Sequence, residues 1–428
     1  MDSIYLDNYS DFAARAKSYA SQFSPCAIVD SCEINPQLNK GFYKLIIGFG
    51  GNPIVSSNAN KLDSLYSAWE SNRTWLFGVL GYNLKNEIEK LSSLNNTAFN
   101  WPELSFFTPE TVIKVSWENE LEILGENADA IFNSILNYSG ENQNSISCLS
   151  ELKVDFDKEN HEKAVNNIKE EIRNGNVYEL NLCSRFLYDD IKVSEPFQLF
   201  SELLKISPAP FSGYFSIDNK FVISASPERY LAKNKHTLIS QPIKGTRPRS
   251  QDVSEDESYK NDLSSNVKDQ AENVMIVDLV RNDMARVARA GSVKVEELFG
   301  VYSYSHVHQL VSSVSSEIDG SVNWKDVLKA TFPMGSMTGA PKIAAMQWIE
   351  KFELSNREWY SGALGYIDPN GNMDFNVLIR SIFYDSSLEK LAYYAGGAIT
   401  IDSEPEEEYR EMMVKAKAIH SLLQGQIK

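Results

Sequence analysis

Between residues 157 and 175, Ala164, Ile168 and Ile172 recur at every fourth position, Asp157 stands where a side-chain oxygen caps a first turn, and Gly175 supplies the stop. The spacing predicts an amphipathic helix over that stretch. Further helical patterns run over 265–280, 341–353 and 406–424. In the last of them Met412, Ala416, Ile419 and Leu423 form one apolar stripe, with Glu408, Glu411 and Lys415 along its edge. Short β-rich runs fall at 42–49, 111–117, 177–182, 213–217 and 221–225, and again around 362–367, 374–383 and 390–401. The helices and strands keep no regular βαβ rhythm, and no GxGxxG follows a strand, which argues against a Rossmann sheet. The predicted class is α+β, with large antiparallel sheets forming a sandwich and helices packed outside. The polar, turn-rich stretch 137–145 suggests a division into an N-terminal α+β region, 1–150, and a larger region, 151–428.

Composition narrows what such a protein does. The 428 residues are 43% hydrophobic and 23% charged, enough to bury a sizeable core, while 22 Gly and 15 Pro leave no room for a fibrous or low-complexity reading. A net charge of −17 repels phosphate backbones and anionic lipid, so neither nucleic acid nor a membrane is expected as partner. An anionic substrate must then meet a local cationic cluster or a metal. The start, Met1 to Asp7, has neither the basic residues nor the apolar run of a signal peptide, and the protein is expected in the cytoplasm. Cys26, Cys32, Cys148 and Cys183 lack CxxC spacing and read as packed thiols in a reducing compartment.

Candidate chemistry lies in five places. Glu408 and Glu411 are three apart on one helix, and Asp269 and Glu272 repeat that spacing on another. Each pair alone reads as a helix-surface charge network, whereas the two brought together require a hard cation, and oxygen ligands suit Mg²⁺. Residues 331–342 place glycines ahead of a proline-started helix, either a tight turn or a carboxylate cradle built of backbone N–H groups. Arg380, within the apolar run 375–383, needs an acidic partner, either structural or a ligand. Lys244 sits in a Pro/Gly-bounded turn sixteen residues after Glu228. Such a pair on neighbouring strands is usually an ion pair and only sometimes a nucleophile and an acid, and spacing does not decide between them.

The ordered set Ser226-Pro227-Glu228-Arg229, Pro242-Ile243-Lys244-Gly245-Thr246, Asp269-Gln270-Ala271-Glu272-Asn273, Asp278 to Asp283, Gly335 to Lys342, Tyr360 to Tyr366 and Glu408 to Lys415 resembles the chorismate-utilising enzymes. These include anthranilate synthase component I, aminodeoxychorismate synthase component I, isochorismate synthases and salicylate synthases. The resemblance spans about 155–420, and more weakly Phe77 to Leu84. It implies that Glu272 and Glu411 ligate Mg²⁺, with Asp269 and Glu408 completing the acidic cage around the metal that holds the ring carboxylate of chorismate. It further implies that Arg380, Tyr360, Gly396 and Gly397 clamp the enolpyruvyl carboxylate. Thr338, Gly339 and Lys415 would flank the ring carboxylate.

Within that family Pro-Ile-Lys-Gly-Thr resembles the aminodeoxychorismate synthases, whereas anthranilate synthases show Ala at the lysine's place. The resemblance implies attack of Lys244 on C2 of the ring while Glu228 protonates the leaving C4 hydroxyl, after which ammonia enters at C4 and expels the lysine. Such a lysine must be neutral, its pKa lowered by burial or by cations such as Arg247 and the metal, and the glutamate protonated. Water in place of ammonia would make the chain an isochorismate or salicylate synthase. No cysteine stands in the Gly-rich elbow of a class I glutaminase, so ammonia is expected from a separate glutamine amidotransferase subunit. Two departures stand out: Gln309 occupies a position usually His, with His308 one place earlier, and Ala398 replaces a third glycine. No Leu-Leu-Glu-Ser segment marks tryptophan feedback.

Overall fold

Successive residues of a strand point to opposite faces. In Leu45–Phe49 this sends Leu45, Ile47 and Phe49 into one core and Ile46 into another, and the same split separates Cys26 and Ile28 from Ala27. Strands buried on both faces read as continuous apolar runs, which is how these stretches appear in the sequence. The computed structural model describes residues 3–34, 42–54, 60–140, 144–304 and 307–427.

Among the described residues the strands form two large antiparallel sheets, of 12 and 10 strands. The first runs in the order Ile4–Tyr5, Glu120–Leu124, Thr111–Val115, Leu45–Phe49, Cys26–Asp30, Ser212–Ile217, Lys220–Ser224, Ser381–Asp385, Lys390–Ile399, Glu179–Tyr188 and Lys153–Val154, with Gly339–Ala340 also on Glu179–Tyr188. The second runs Ile243–Pro248, Val307–Glu317, Thr237–Gln241, Arg229–Asn234, Met373–Asn376, Ala363–Ile367, Leu76–Leu80, Leu104–Thr108 and Asn52–Ile54, and Lys294–Ser303 pairs with Val307–Glu317. The sheets pack face to face: Phe107 and Phe215 meet across the gap at 6.2 Å between ring centroids. Gly48 leaves just enough room for the Phe77 ring, which a Cβ there would approach to 2.6 Å. The outer face of the first sheet is covered by helices Tyr9–Ala20, Ala128–Leu136, Pro196–Ile206 and Pro405–Gln426, whose buried residues share one core with it. Each such aliphatic or aromatic side chain contributes roughly 1.5–3 kcal/mol when fully buried.

Strands from both sides of residue 150 lie side by side in each sheet, Cys26–Asp30 beside Ser212–Ile217 and Leu76–Leu80 beside Ala363–Ile367. The division at 150 is therefore one of sequence, not of separate sheets. Part of the polar stretch that suggested it, 141–143, lies outside the described residues.

The expected helix forms as Lys158–Arg173, capped by Asp157, whose side chain accepts from Asn160 N, and followed by Gly175 at φ +76°. With helix Lys342–Phe352 it buries Leu180 and Leu182 of the strand between them. One expected strand, 374–383, is not continuous. Met373–Asn376 belongs to the second sheet and Ser381–Asp385 to the first, and residues 377–380 cross between them. There Val377 N donates to Glu228 O and Leu378 N to Gly362 O, so these groups leave the ladder. Among the described residues no helix is long and apolar enough to cross a membrane.

Candidate active site

The floor of the site is the ladder between Glu179–Tyr188 and Lys390–Ile399, in which Cys183 opposes Gly396 and Leu182 opposes Gly397. A Cβ at Gly396 would lie 2.1 Å from Leu182 O, so a side chain has no place there. One at Gly397 would come within 3.4 Å of Glu408 Oε2, 3.5 Å of Glu411 Oε1 and 3.7 Å of Lys415 Nζ. Helix Pro405–Gln426 thus lays all three charged groups over one glycine, because its apolar stripe packs on the sheet and fixes its rotation. Lys415 Nζ donates to Glu411 and, at 3.0 Å, to Gly396 O. That ammonium holds the Glu411 carboxyl below its usual range, whereas burial pushes Glu408 up.

Helix Val267–Ala285 faces this cluster with Lys268 and Glu272, Lys268 Nζ lying 3.5 Å from Glu408 Oε1 and 4.0 Å from Glu272 Oε1. Burial raises the Glu272 carboxyl to about 7, Lys244 opposing the rise and Glu179 adding to it. The fourth expected acid does not join. Asp269 accepts from Arg247 Nη2 at 2.8 Å, because its own side chain packs against Gly245 of the Ile243–Pro248 strand, where a Cβ would come within 3.2 Å of Asp269 Cγ.

Lys244 comes from that strand. Its Nζ donates to Glu179 Oε1 at 2.9 Å, in a pair whose side chains are 10% and 0% exposed. The expected partner, Glu228, is a neighbour in charge and makes no ion pair with it among the described residues. The lysine's pKa is also not lowered: burial pulls it down, but Glu179, Glu272 and Glu228 together outweigh burial and the net direction is up. Arg247, named as a lowering cation, is spent on Asp262 and Asp269. Burial raises the Glu228 carboxyl to about 7 against the Ser336 hydroxyl and Lys244.

Arg380 sits in the crossover, not in a strand, at φ +52°. Its Nη1 donates to Lys415 O at 2.9 Å, and among the described residues it makes no ion pair. With Gln309, Thr246, Tyr304 and Pro227 it lines a cavity of about 80 Å³. Gln309 is 5% exposed, and its Oε1 has no partner among the described residues. His308 turns the other way, to Ser303 Oγ at 2.8 Å and Asp256 Oδ1 at 3.0 Å. Tyr360 stacks on Tyr394 with centroids 4.7 Å apart and reaches Cys183 Sγ at 3.6 Å.

The 335–342 turn is organised from within. Thr338 Oγ1 donates to Met334 O and Gly335 O, Gly339 lies at φ +149° against Glu179 O, and Lys342 Nζ binds Asp283, Thr331 O and Pro333 O. Lys342 therefore ties the turn to helix Val267–Ala285 and is not part of a cradle.

A glycine floor, two facing acid–lysine sets, a buried lysine and an arginine-lined cavity are the groups with which a small polyanion is held and protonated. The model of the chorismate binding enzymes matches residues 27–421. The chain belongs to the chorismate binding enzyme family. It is 37% identical over 353 residues to anthranilate synthase component 1 of Saccharolobus solfataricus, covering 81% of this chain and 80% of that one. It is 33% identical over 344 residues to aminodeoxychorismate synthase component 1 of Escherichia coli, covering 80% and 75%. Among solved structures, anthranilate synthase component I from Streptococcus pneumoniae superposes with a TM-score of 0.74 at 26% identity, over 87% of this chain and 91% of that one.

For this chorismate binding enzyme the donor set fits a hard cation chemically. Glu272, Glu408 and Glu411 offer only oxygen and Lys268 and Lys415 balance them. Among the described residues no three His, Cys, Asp or Glu side chains form a ready-made cage. Mg²⁺ asks for less than that, since it binds through one or two carboxylates, substrate oxygens and water.

Two members of the site escaped the sequence reading, Glu179 and Lys268. Lys268 reads as a surface lysine until the two helices face each other. Glu179 did leave a signal: Leu180 and Leu182 alternate with Glu179, Asn181 and Cys183, so a polar face accompanies an apolar one along the strand.

Proposed function

We propose that the chain is component I of an aminodeoxychorismate synthase, converting chorismate and ammonia to 4-amino-4-deoxychorismate on the route to para-aminobenzoate and folate. Ammonia is supplied by a separate glutamine amidotransferase subunit. The observation that carries the reading is Lys244 of Pro-Ile-Lys-Gly-Thr, buried and near enough for its charge to act on Glu228, a carboxyl that burial raises to about 7. An amine and a carboxylic acid so placed are a nucleophile and the acid for a leaving hydroxyl, which splits one difficult displacement into two.

Arg380 and Tyr360, with the backbone at Gly396 and Gly397, bind the enolpyruvyl carboxylate. Lys415 and the backbone of the Thr338–Gly339 turn orient the ring carboxylate. Gln309 donates a hydrogen bond near the leaving hydroxyl. Mg²⁺ is proposed as cofactor, held by Glu272 and Glu411 with Glu408 beside them, and when bound it supplies positive charge to a substrate carboxylate.

The competing reading is anthranilate synthesis, favoured by the 37% identity to the Saccharolobus protein. Products decide between them. The purified chain given chorismate, Mg²⁺ and ammonium should release 4-amino-4-deoxychorismate, identified by chromatography and mass, and should release no glutamate from glutamine. Anthranilate, or isochorismate or salicylate formed in plain buffer, would refute the proposal.

A further inference from the structure

Glu179 has no assigned role, yet it is among the most completely enclosed charged groups in the site. Its side chain is 0% exposed, Oε1 accepts from Lys244 Nζ at 2.9 Å, and Oε2 has no partner among the described residues. Taking a carboxylate and an ammonium out of water costs several kcal/mol per ion, recovered only where the remaining lone pairs are satisfied. Here one oxygen is left over. A pair serving only to join two strands would be served better by an apolar contact or a neutral hydrogen bond.

The surroundings show what the lysine lacks. Lys244 faces Glu179 of the Glu179–Tyr188 strand, Glu272 of helix Val267–Ala285 and Glu228 just before strand Arg229–Asn234, and Glu411 of the C-terminal helix feels its charge. Arg247, from the same strand, is held by Asp262 and Asp269. These neighbours favour the ammonium, which has no lone pair. An amine nucleophile in this position needs a group that takes its proton directly, and Glu179 is the one carboxylate among the described residues bonded to Nζ.

We propose that Glu179 is the proton acceptor that turns Lys244 from an ammonium into a nucleophile. The assignment rests on the amination reading above and names the group that reading leaves out. The proton passes from Lys244 Nζ to Glu179. The free amine then bonds to ring carbon C2 as the two conjugated ring double bonds shift and the C4–O bond breaks, and Glu228 gives its proton to the departing hydroxyl, which leaves as water. Ammonia bonds to C4, both double bonds shift back, and the C2–N bond breaks to leave neutral Lys244. The new ammonium returns one proton to Glu228, and Lys244 recovers its own from Glu179. The sum is chorismate and ammonia giving 4-amino-4-deoxychorismate and water.

The test is the Glu179→Gln variant of the full chain, which keeps size and a hydrogen-bond acceptor but cannot take a proton, assayed with chorismate, Mg²⁺ and ammonium from pH 6 to 10. Formation of the amino product at pH 7 should fall by about 10²- to 10⁴-fold, the range for loss of one general acid or base. The ratio of the variant's rate to the wild type's at the same pH should then climb about tenfold per pH unit as solvent hydroxide replaces the missing base, the loss of the Glu228 acid above about pH 7 being common to both. The adduct of chorismate minus water on Lys244, trapped without ammonia and read by mass spectrometry, should follow the same pH dependence. Glu179→Asp should recover part of the rate, and serves as the probe if Glu179→Gln does not fold. A Glu179→Gln protein with wild-type rate and pH profile overturns the assignment, as does a loss of equal size at every pH. Wild-type protein that makes no amino product and carries no adduct overturns the functional reading, and this assignment with it.

Discussion

Replacing Glu228 by glutamine should make the protein more stable and inactive, and the size of the first effect follows from burial. The carboxyl is 4% exposed and its pKa rises from 4.5 to about 7. Between those values the native state holds a proton that the unfolded chain has released, so stability falls as pH rises across the window and the whole penalty is present above about pH 7. At about 1.4 kcal/mol per pH unit the penalty is at most about 3 kcal/mol. Glutamine has the same shape and never ionises, so at pH 8 Glu228→Gln should recover most of that amount. Below pH 4.5 it should match the wild type. With an unfolding entropy near 2 cal/mol/K per residue over a chain of this length, about 3 kcal/mol is a rise of about 3 °C in melting temperature. Calorimetry of both proteins at pH 4.5 and pH 8, with activity measured on the same samples, is the assay. Wild-type activity should fall about tenfold per pH unit above about pH 7 as the acid is lost, and the variant should have lost the amino product at every pH. Equal melting temperatures at pH 8 would show that Glu228 is not held protonated by burial, and undiminished turnover would show that it is not the acid.

Lys244→Ala should lower formation of the amino product by about 10²- to 10⁴-fold and also lower the melting temperature, because it strands Glu179 without its cation. The discriminating readout is the chorismate-minus-water adduct on the wild-type peptide containing Lys244, whose absence would make the lysine structural. Glu272→Gln should abolish Mg²⁺-dependent turnover yet raise stability at pH 8, since burial already raises that carboxyl to about 7. Glu411→Gln should abolish turnover with little change in stability, its side chain being 51% exposed, and full activity in excess chelator would refute both expectations. Arg357 is 2% exposed and donates to Glu353 Oε1 at 2.7 Å, Met337 O at 2.7 Å and Asn181 O at 3.1 Å. Arg357→Met should therefore cost about 3–5 kcal/mol by leaving Glu353 buried alone, with partial recovery in the double variant with Glu353→Leu, both read by denaturant unfolding.

Features that depend on neighbours along the chain can be read from the order of residues. The helix with Ala164, Ile168 and Ile172, its Asp157 cap and its Gly175 stop were legible because a 3.6-residue period and a cap are local properties. The stripe Met412, Ala416, Ile419 and Leu423 was legible for the same reason, and it placed Glu408, Glu411 and Lys415 on the site's edge. The ordered motifs carried the family, which the match over residues 27–421 shows. Which charge meets which is set by how the elements pack in space. Asp269 and Glu272 stand three apart on one helix, yet one goes to Arg247 and the other faces Lys268. Lys244 lies sixteen residues from Glu228 but pairs with Glu179, 65 residues away. The run 374–383 looks like one strand because period-two burial is the same in either sheet. The break at 377–380 that aims Arg380 comes from backbone groups captured by Glu228 O and Gly362 O. A charge's partner, and with it the direction of its pKa, depends on distances through space and on how much water is excluded, and neither is written in the order of residues.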